Sequence, residues 1–155
     1  MKKLILMRGL PGSGKSTYAR SRALSTMSEG SPSVVVCSTD DQFLNEKGEY
    51  VFDPTLLGVN HQANQLKVLR CMIAGVKVVI VDNTNTTHKE MKPYKDMAVT
   101  HGYEVEEILV GREQLFPGMD GSPHAFADYI DLCTRRNIHK VPREAILKMA
   151  RRFEQ

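Results

Sequence analysis

In "GLPGSGKST", residues 9–17, three glycines stand ahead of a lysine and two hydroxyl side chains. Gly9, Gly14, Lys15 and Ser16 fit the pattern G-x-x-x-x-G-K-[ST]. Each residue type in it answers the same ligand, a triphosphate. Backbone N–H groups can surround phosphate oxygens only where no Cβ intrudes, and Gly12 and Gly14 allow that approach. A helix starting near Lys15 turns unpaired amides and a partial positive charge toward the anion. Lys15, read as a solvent-side group of the loop, reaches the β- and γ-phosphates, and Ser16 offers Mg²⁺ a hydroxyl. The expected cradle for ATP is therefore Gly9, Pro11, Gly12, Ser13, Gly14, Lys15, Ser16 and Thr17.

A phosphate loop names a nucleotide and not a reaction. Two acidic stretches narrow the chemistry. "CSTDDQF" places Asp40 and Asp41 just past an apolar run, where open α/β sheets bind their ligands. A phosphoryl acceptor needs a carboxylate to take or orient its hydroxyl proton. Ser38, Thr39 or Asp40 can equally cap a short helix there. "VVIVDNTNTT" ends another apolar run on Asp82, the expected acid of a magnesium shell shared with Ser16. Asn83 and Asn85 follow at the same rim, in pairs that also form turns.

Near the C-terminus Arg135, Arg136, His139, Lys140, Arg143, Lys148, Arg151 and Arg152 face only Glu144 and Glu154. Cations stabilise a migrating phosphoryl group, so this basic helix pair reads as a lid over about residues 112–142. Arg135 and Arg136, at the joint of the two helices, are the candidates, whereas Lys148, Arg151 and Arg152 read as a solvated face. Arg8, beside the loop, is either an acceptor or phosphate contact or a surface ion pair at a strand end. Asn60, His61 and Asn64 either line an acceptor cleft or form a polar helix face.

These residues need a frame to hold them. "KLILMR", "SVVVCS", "VKVVIVD" and "YEVEEILV" read as strands, the first three apolar throughout, as parallel strands covered on both faces are. Helical patterns lie between them, over residues 15–27 and 54–74, with Val59, Ala63, Leu66 and Ile73 on one apolar face of the second. "THKE", residues 87–90, opens a third helix as a capping box, which Pro93 should kink or shorten. "GREQLFPGMDGSP" reads as a loop, and two further helices follow. Strand and helix in alternation make βαβ units and a parallel sheet.

Composition sets the outer bounds. The chain's 155 residues suffice for one domain, 1–155, with one core. Three scattered cysteines and five histidines without ligand spacing argue against a disulfide framework or zinc site. No apolar stretch is long enough to span a membrane, and the N-terminus is too short for a signal peptide, so a cytoplasmic chain without a membrane partner is expected. The net charge of +3 neither requires nor excludes nucleic acid.

Taken in order, "GLPGSGKST", "STDD", "DNTNTTHKEMKPY" and "RRNIHKVPREAI" resemble the P-loop kinase domain of the polynucleotide 5′-hydroxyl kinases. The likeness is greatest to the branch holding phage proteins and the kinase-like domains of animal ubiquitin-ligase-binding proteins. It implies a four-stranded parallel sheet in a three-layer α/β fold with a helical lid, ATP and Mg²⁺ as cofactors, and Asp40 as the base. The acceptor side departs from the pattern. Phe43 stands where the phage enzyme has an acceptor-holding arginine, and only Ile138, His139 and Lys140 separate Asn137 from Val141.

The resemblance implies an ATP-dependent kinase of a hydroxyl on nucleic acid, first a polynucleotide 5′-OH. Asp41, Phe43, Arg8, Asn83 and Asn85 are then the acceptor-side candidates, with Phe43 stacking on a base. The alternatives are a hydroxymethyl group of a modified pyrimidine in phage DNA, which would put the chain in a host cytoplasm, a small metabolite, or a nucleotide-gated binding module.

Overall fold

A computed structural model describes residues 1–30, 33–117 and 123–155. The four apolar runs form strands β1 (Lys3–Arg8), β2 (Val34–Cys37), β3 (Val78–Asp82) and β4 (Glu104–Leu109). They lie in one parallel sheet in the order β2-β3-β1-β4. Around it stand helices α1 (Lys15–Ser28), α2 (Leu57–Ile73), α3 (His88–His101), α4 (Arg112–Leu115), α5 (Pro123–Arg136) and α6 (Arg143–Arg152). This is the P-loop NTPase and kinase fold, a sheet flanked by helices.

Alternation along the central strands sorts the core. Leu4, Leu6, Val79 and Val81 point to one face, where Val68 and Met72 of α2 and Met91, Tyr94 and Ala98 of α3 cover them. Ile5, Met7, Val78 and Ile80 point to the other, against Ala19 of α1. Buried on both faces, β1 and β3 have no place for polar side chains until their C-terminal ends. The charged strand, β4, is an edge. Its Glu106 pairs with Lys3 at 3.3 Å and Arg22 at 3.2 Å, and Glu107 with Lys95 at 3.0 Å, charges that blunt an exposed edge. A third cluster gathers Leu10 of the loop with Leu115, Ile130, Cys133, Ile146 and Phe153 of α4, α5, α6 and the C-terminus.

Four expectations are corrected. Helix α3 runs through Pro93 to His101. The carbonyl that Pro93 leaves without its helical donor belongs to exposed Lys89, where water can replace the bond. In the capping box Thr87 Oγ1 accepts from Glu90 N, but Glu90 returns the bond to Thr86 N at 2.7 Å, not to Thr87. Helix α2 buries Asn60, Asn64, Val68 and Met72, while Val59, Leu66 and Ile73 are exposed. The stretch read as a loop begins with α4, and its residues 118–122 lie outside the described residues. No helix among the described residues is long and apolar enough to cross a membrane.

Arg8 is also relocated. It is buried, and its ion pair at the strand end, with Glu107 Oε1 at 3.8 Å, lies inside the fold and not on the surface. Its guanidinium donates to the carbonyls of Asn85 at 2.9 Å, Thr86 at 3.3 Å and Glu154 at 2.6 Å, and lies over Phe153 at 5.2 Å. It thus ties the end of β1 to the segment after β3 and to the C-terminus. We expect Arg8→Met to destabilise the fold by about 2–4 kcal/mol, because it strands buried carbonyls. Denaturant unfolding measures this, and an unchanged midpoint would refute it.

Candidate active site

The parallel order places the C-terminal ends of β1, β2 and β3 along one rim, and the candidate site is built there. From β1 the chain turns at residues 9–14 into α1, with Ser13 N donating to Leu10 O at 3.1 Å. Gly14 caps the helix at φ 95°, a conformation that favours glycine, with no side chain covering the first turn. Among the described residues, the amides of Lys15, Ser16 and Thr17 find no backbone acceptor. Ser13 Oγ is buried without a partner. Free amides and an orphaned hydroxyl at a helix N-terminus are what an anion needs.

Gly12 has a second reason beside the one expected. At φ 78°, a Cβ there would run into the Cys133 carbonyl and stand 2.9 Å from Asn137 N. Its bareness admits the end of α5 against the loop.

Lys15 is buried, contrary to its reading as a solvent-side group. Its Nζ lies 3.2 Å from Asp82 Oδ1, and Ser16 Oγ donates to Asp82 Oδ2 at 2.7 Å. The neighbouring strands β1 and β3, registered Met7 to Asp82, bring these groups together. A hydroxyl beside a carboxylate is an oxygen donor set that fits Mg²⁺, which keeps its remaining ligands from phosphate and water. No cluster of three or more histidine, cysteine or acidic side chains among the described residues offers a metal site by itself.

The rim beyond β2 is set by a short 3₁₀ turn, Thr39–Phe43. Ser38 caps it, accepting from Asp40 N at 3.2 Å, so the serine does the capping and the Asp40 carboxylate is left free of that duty. Asn83 anchors the turn to β3, accepting from Thr39 N at 2.9 Å. Thr39 Oγ1 meets His61 Nδ1 at 3.0 Å. Asn64 and Asn83 both donate to Tyr94 Oη, at 3.1 and 3.4 Å. The amide of Asn60 and the carbonyl oxygen of Asn64 are buried without partners. Asn60 and Asn64 thus form a buried polar end of α2, not a solvated face.

Two residues at Asp40 were not singled out as site candidates. His139 Nε2 stands 3.4 Å from Asp40 Oδ2, and the Tyr50 ring stacks on His139 at 4.0 Å between centroids. Burial, then the charge of Asp40 and a hydrogen bond to it, push the Tyr50 hydroxyl up to about 12. His139 lay unremarked within the basic cluster, and Tyr50 carries no motif; neither has a spacing that points to Asp40.

Other candidates move away. Asn85 is buried with its amide on Met7 O at 2.8 Å, so it closes the turn after β3 and does not face an acceptor. Phe43 is buried against Phe52 at 5.1 Å and Tyr50 at 6.0 Å, and has no face for a base. Asp41 is exposed, and Arg135 and Arg136 are both exposed at the end of α5. Neither arginine is held in an ion pair among the described residues.

The model of a family described as AAA domain matches residues 4–111, from β1 to the end of β4 and the turn after it. The chain belongs to the AAA domain family. This AAA domain is also 38% identical over 156 residues to human NEDD4-binding protein 2, with 98% of the chain aligned. It spans 8% of the length of that curated relative. Among solved structures, a Pnkp1/Rnl/Hen1 complex superposes with TM-score 0.54 at 22% identity, over 70% of this chain and 35% of that one. The Mycobacterium tuberculosis APS kinase CysC in complex with AMPPNP and APS gives 0.53 at 16% identity, over 70% of this chain and 62% of that one. Together with the loop, these make it a kinase-like P-loop domain.

The Lys15–Asp82 pair gives the site a test. Lys15→Met should leave the Asp82 carboxylate buried and under-compensated, costing about 2–3 kcal/mol of stability, and should lower ATP-dependent transfer by about 10²-fold or more. Adding Asp82→Asn should recover most of the stability and none of the activity. Unfolding curves with nucleotide titrations separate the two effects. A single variant as stable and active as wild type would refute the pairing.

Proposed function

We propose that this chain is an ATP- and Mg²⁺-dependent kinase that moves the γ-phosphoryl group to a hydroxyl on nucleic acid. Its first acceptor is a polynucleotide 5′-OH. The observation that carries the reading is the Asp40 carboxylate. It is half-exposed on the rim beyond β2, freed from capping by Ser38 and tied through Thr39 and Asn83 to the strand bearing Asp82. A nucleotide switch has no need of a carboxylate so placed.

Ser16 and Asp82 would hold Mg²⁺, which when bound neutralises phosphate charge, and the amides of the loop with Lys15 would hold the phosphates. Asp40 takes the proton from the acceptor hydroxyl as its oxygen attacks. Arg135 and Arg136, exposed where α5 abuts the loop, are the cations free to meet the transferred group. The nucleic-acid acceptor rests on the four-motif resemblance and agrees with the fold shared with the Pnkp1/Rnl/Hen1 complex. The free cysteines suit a reducing cytoplasm.

One observation favours a second acceptor. Phe43 carries no charge and Arg8 is buried, so neither offers a cation to a terminal nucleotide's phosphate. A hydroxymethyl group on a pyrimidine would not need that clamp. Labelled γ-phosphate offered with a 5′-OH oligonucleotide, circular single-stranded DNA carrying hydroxymethyluracil, and small hydroxyl compounds distinguishes these. Label on the oligonucleotide supports the first reading, label on the circle the second, and label on a small compound alone overturns the nucleic-acid assignment. In the same assay Asp40→Asn should lower kcat by about 10²–10⁴ with ATP affinity little changed. A loss of ATP affinity alone would move Asp40 to the metal shell.

A further inference from the structure

The short linker between α5 and α6 reaches across the rim to Asp40, and it is built to do so. Asn137 at its start binds it from both sides. Its Nδ2 donates to Thr134 O at 2.8 Å and Val141 O at 3.2 Å, while its Oδ1 accepts from Val141 N at 2.7 Å. These bonds close the turn, and Lys140 takes a left-handed φ of 56° within it. A lysine gains nothing from that conformation, so the turn's closure imposes it. What the turn presents is His139, packed against the Tyr50 ring at a tilt of 35° with Nε2 toward Asp40 Oδ2.

We propose that His139 is a positioning residue for phosphoryl transfer, carried by the lid, that together with Tyr50 orients the Asp40 carboxylate toward the acceptor. The inference rests on the reading of Asp40 as the base. An aspartate beside solvent turns freely about its side-chain bonds. With the imidazole 3.4 Å from Oδ2, its ring packed against Tyr50, and the Tyr50 hydroxyl also bonded to the carboxylate, Asp40 is restrained from two sides and presents its remaining lone pairs in a limited range of directions. The acceptor's O–H proton goes to the Asp40 carboxylate. The acceptor's oxygen bonds to the γ-phosphorus, and the bond from that phosphorus to the bridging oxygen breaks, its electron pair leaving with ADP. His139 neither gains nor loses a proton in this step. Orientation of this kind raises kcat without tightening nucleotide binding.

The test is a cycle of variants in the γ-phosphate transfer assay, using the acceptor that wild type labels best. His139→Ala should lower kcat by about 10- to 100-fold with the KM for ATP within about threefold of wild type. His139→Gln, which keeps a donor, should recover most of that loss. His139→Phe, which keeps the stack on Tyr50 and the fold but not the donor, should not. In an Asp40→Asn background, His139→Ala should change kcat by less than about twofold, because the two residues act as one unit. Thermal unfolding of each variant checks that the fold persists. If His139→Phe is as active as wild type, or the losses in the cycle multiply, the inference falls while Asp40 keeps its role. If Asp40→Asn is fully active, or wild type labels nothing, the reading under Proposed function falls and takes this one with it.

Discussion

Asp82 is the group on which the rim turns. A carboxylate at the end of a strand buried on both faces cannot stay charged without partners. Lys15 and Ser16 supply them, and they can do so only because β1 and β3 are neighbours in register and the chain turns at once from β1 into α1. The loop is therefore held at both ends, by the strand it leaves and by the acid it reaches. Its amides are left open because the side chains of its helix are committed elsewhere. A phosphate arriving there competes with Asp82 for an ammonium already in place.

The clamp behind the rim is Arg8. By holding the carbonyls of Asn85, Thr86 and Glu154 it fixes the turn after β3 and draws the C-terminus beneath it. Burial pulls the guanidinium below its ordinary value and Glu107 opposes that shift, so the charge is costly but compensated. The arginine beside the loop thus serves the scaffold. The same holds for Asn85, whose amide closes on Met7 O.

Chemistry carried by local patterns was legible in the sequence. The phosphate loop and the strand ends follow from spacing and alternation within a few residues. What depends on long-range packing was not. Val59, Leu66 and Ile73 have helical spacing, but α2 turns its Asn60, Asn64, Val68 and Met72 stripe inward, because Tyr94 gives Asn64 a polar partner inside the core. Phe43 looked like a surface aromatic beside an acidic pair. It is buried because Phe52, on a chain that doubles back through the Leu44–Tyr50 bridge, closes over it. Gly12 invited a phosphate explanation, and its neighbour is α5.

That neighbour links the two halves of the site. Gly12 lets the backbone at Cys133 and Asn137 come against the loop. Asn137 closes the turn that carries His139, and His139 stands on Asp40. The path from the phosphate loop to Asp40 is short and made of close-packed backbone with one bonded turn. Packed groups shift between discrete arrangements more readily than they deform smoothly. The phosphate loop and the His139 turn are in one such packed unit. A Cβ at residue 12 would keep α5 from the loop. The glycine of the phosphate motif thus has a second reason to be there, belonging to the lid as much as to the nucleotide.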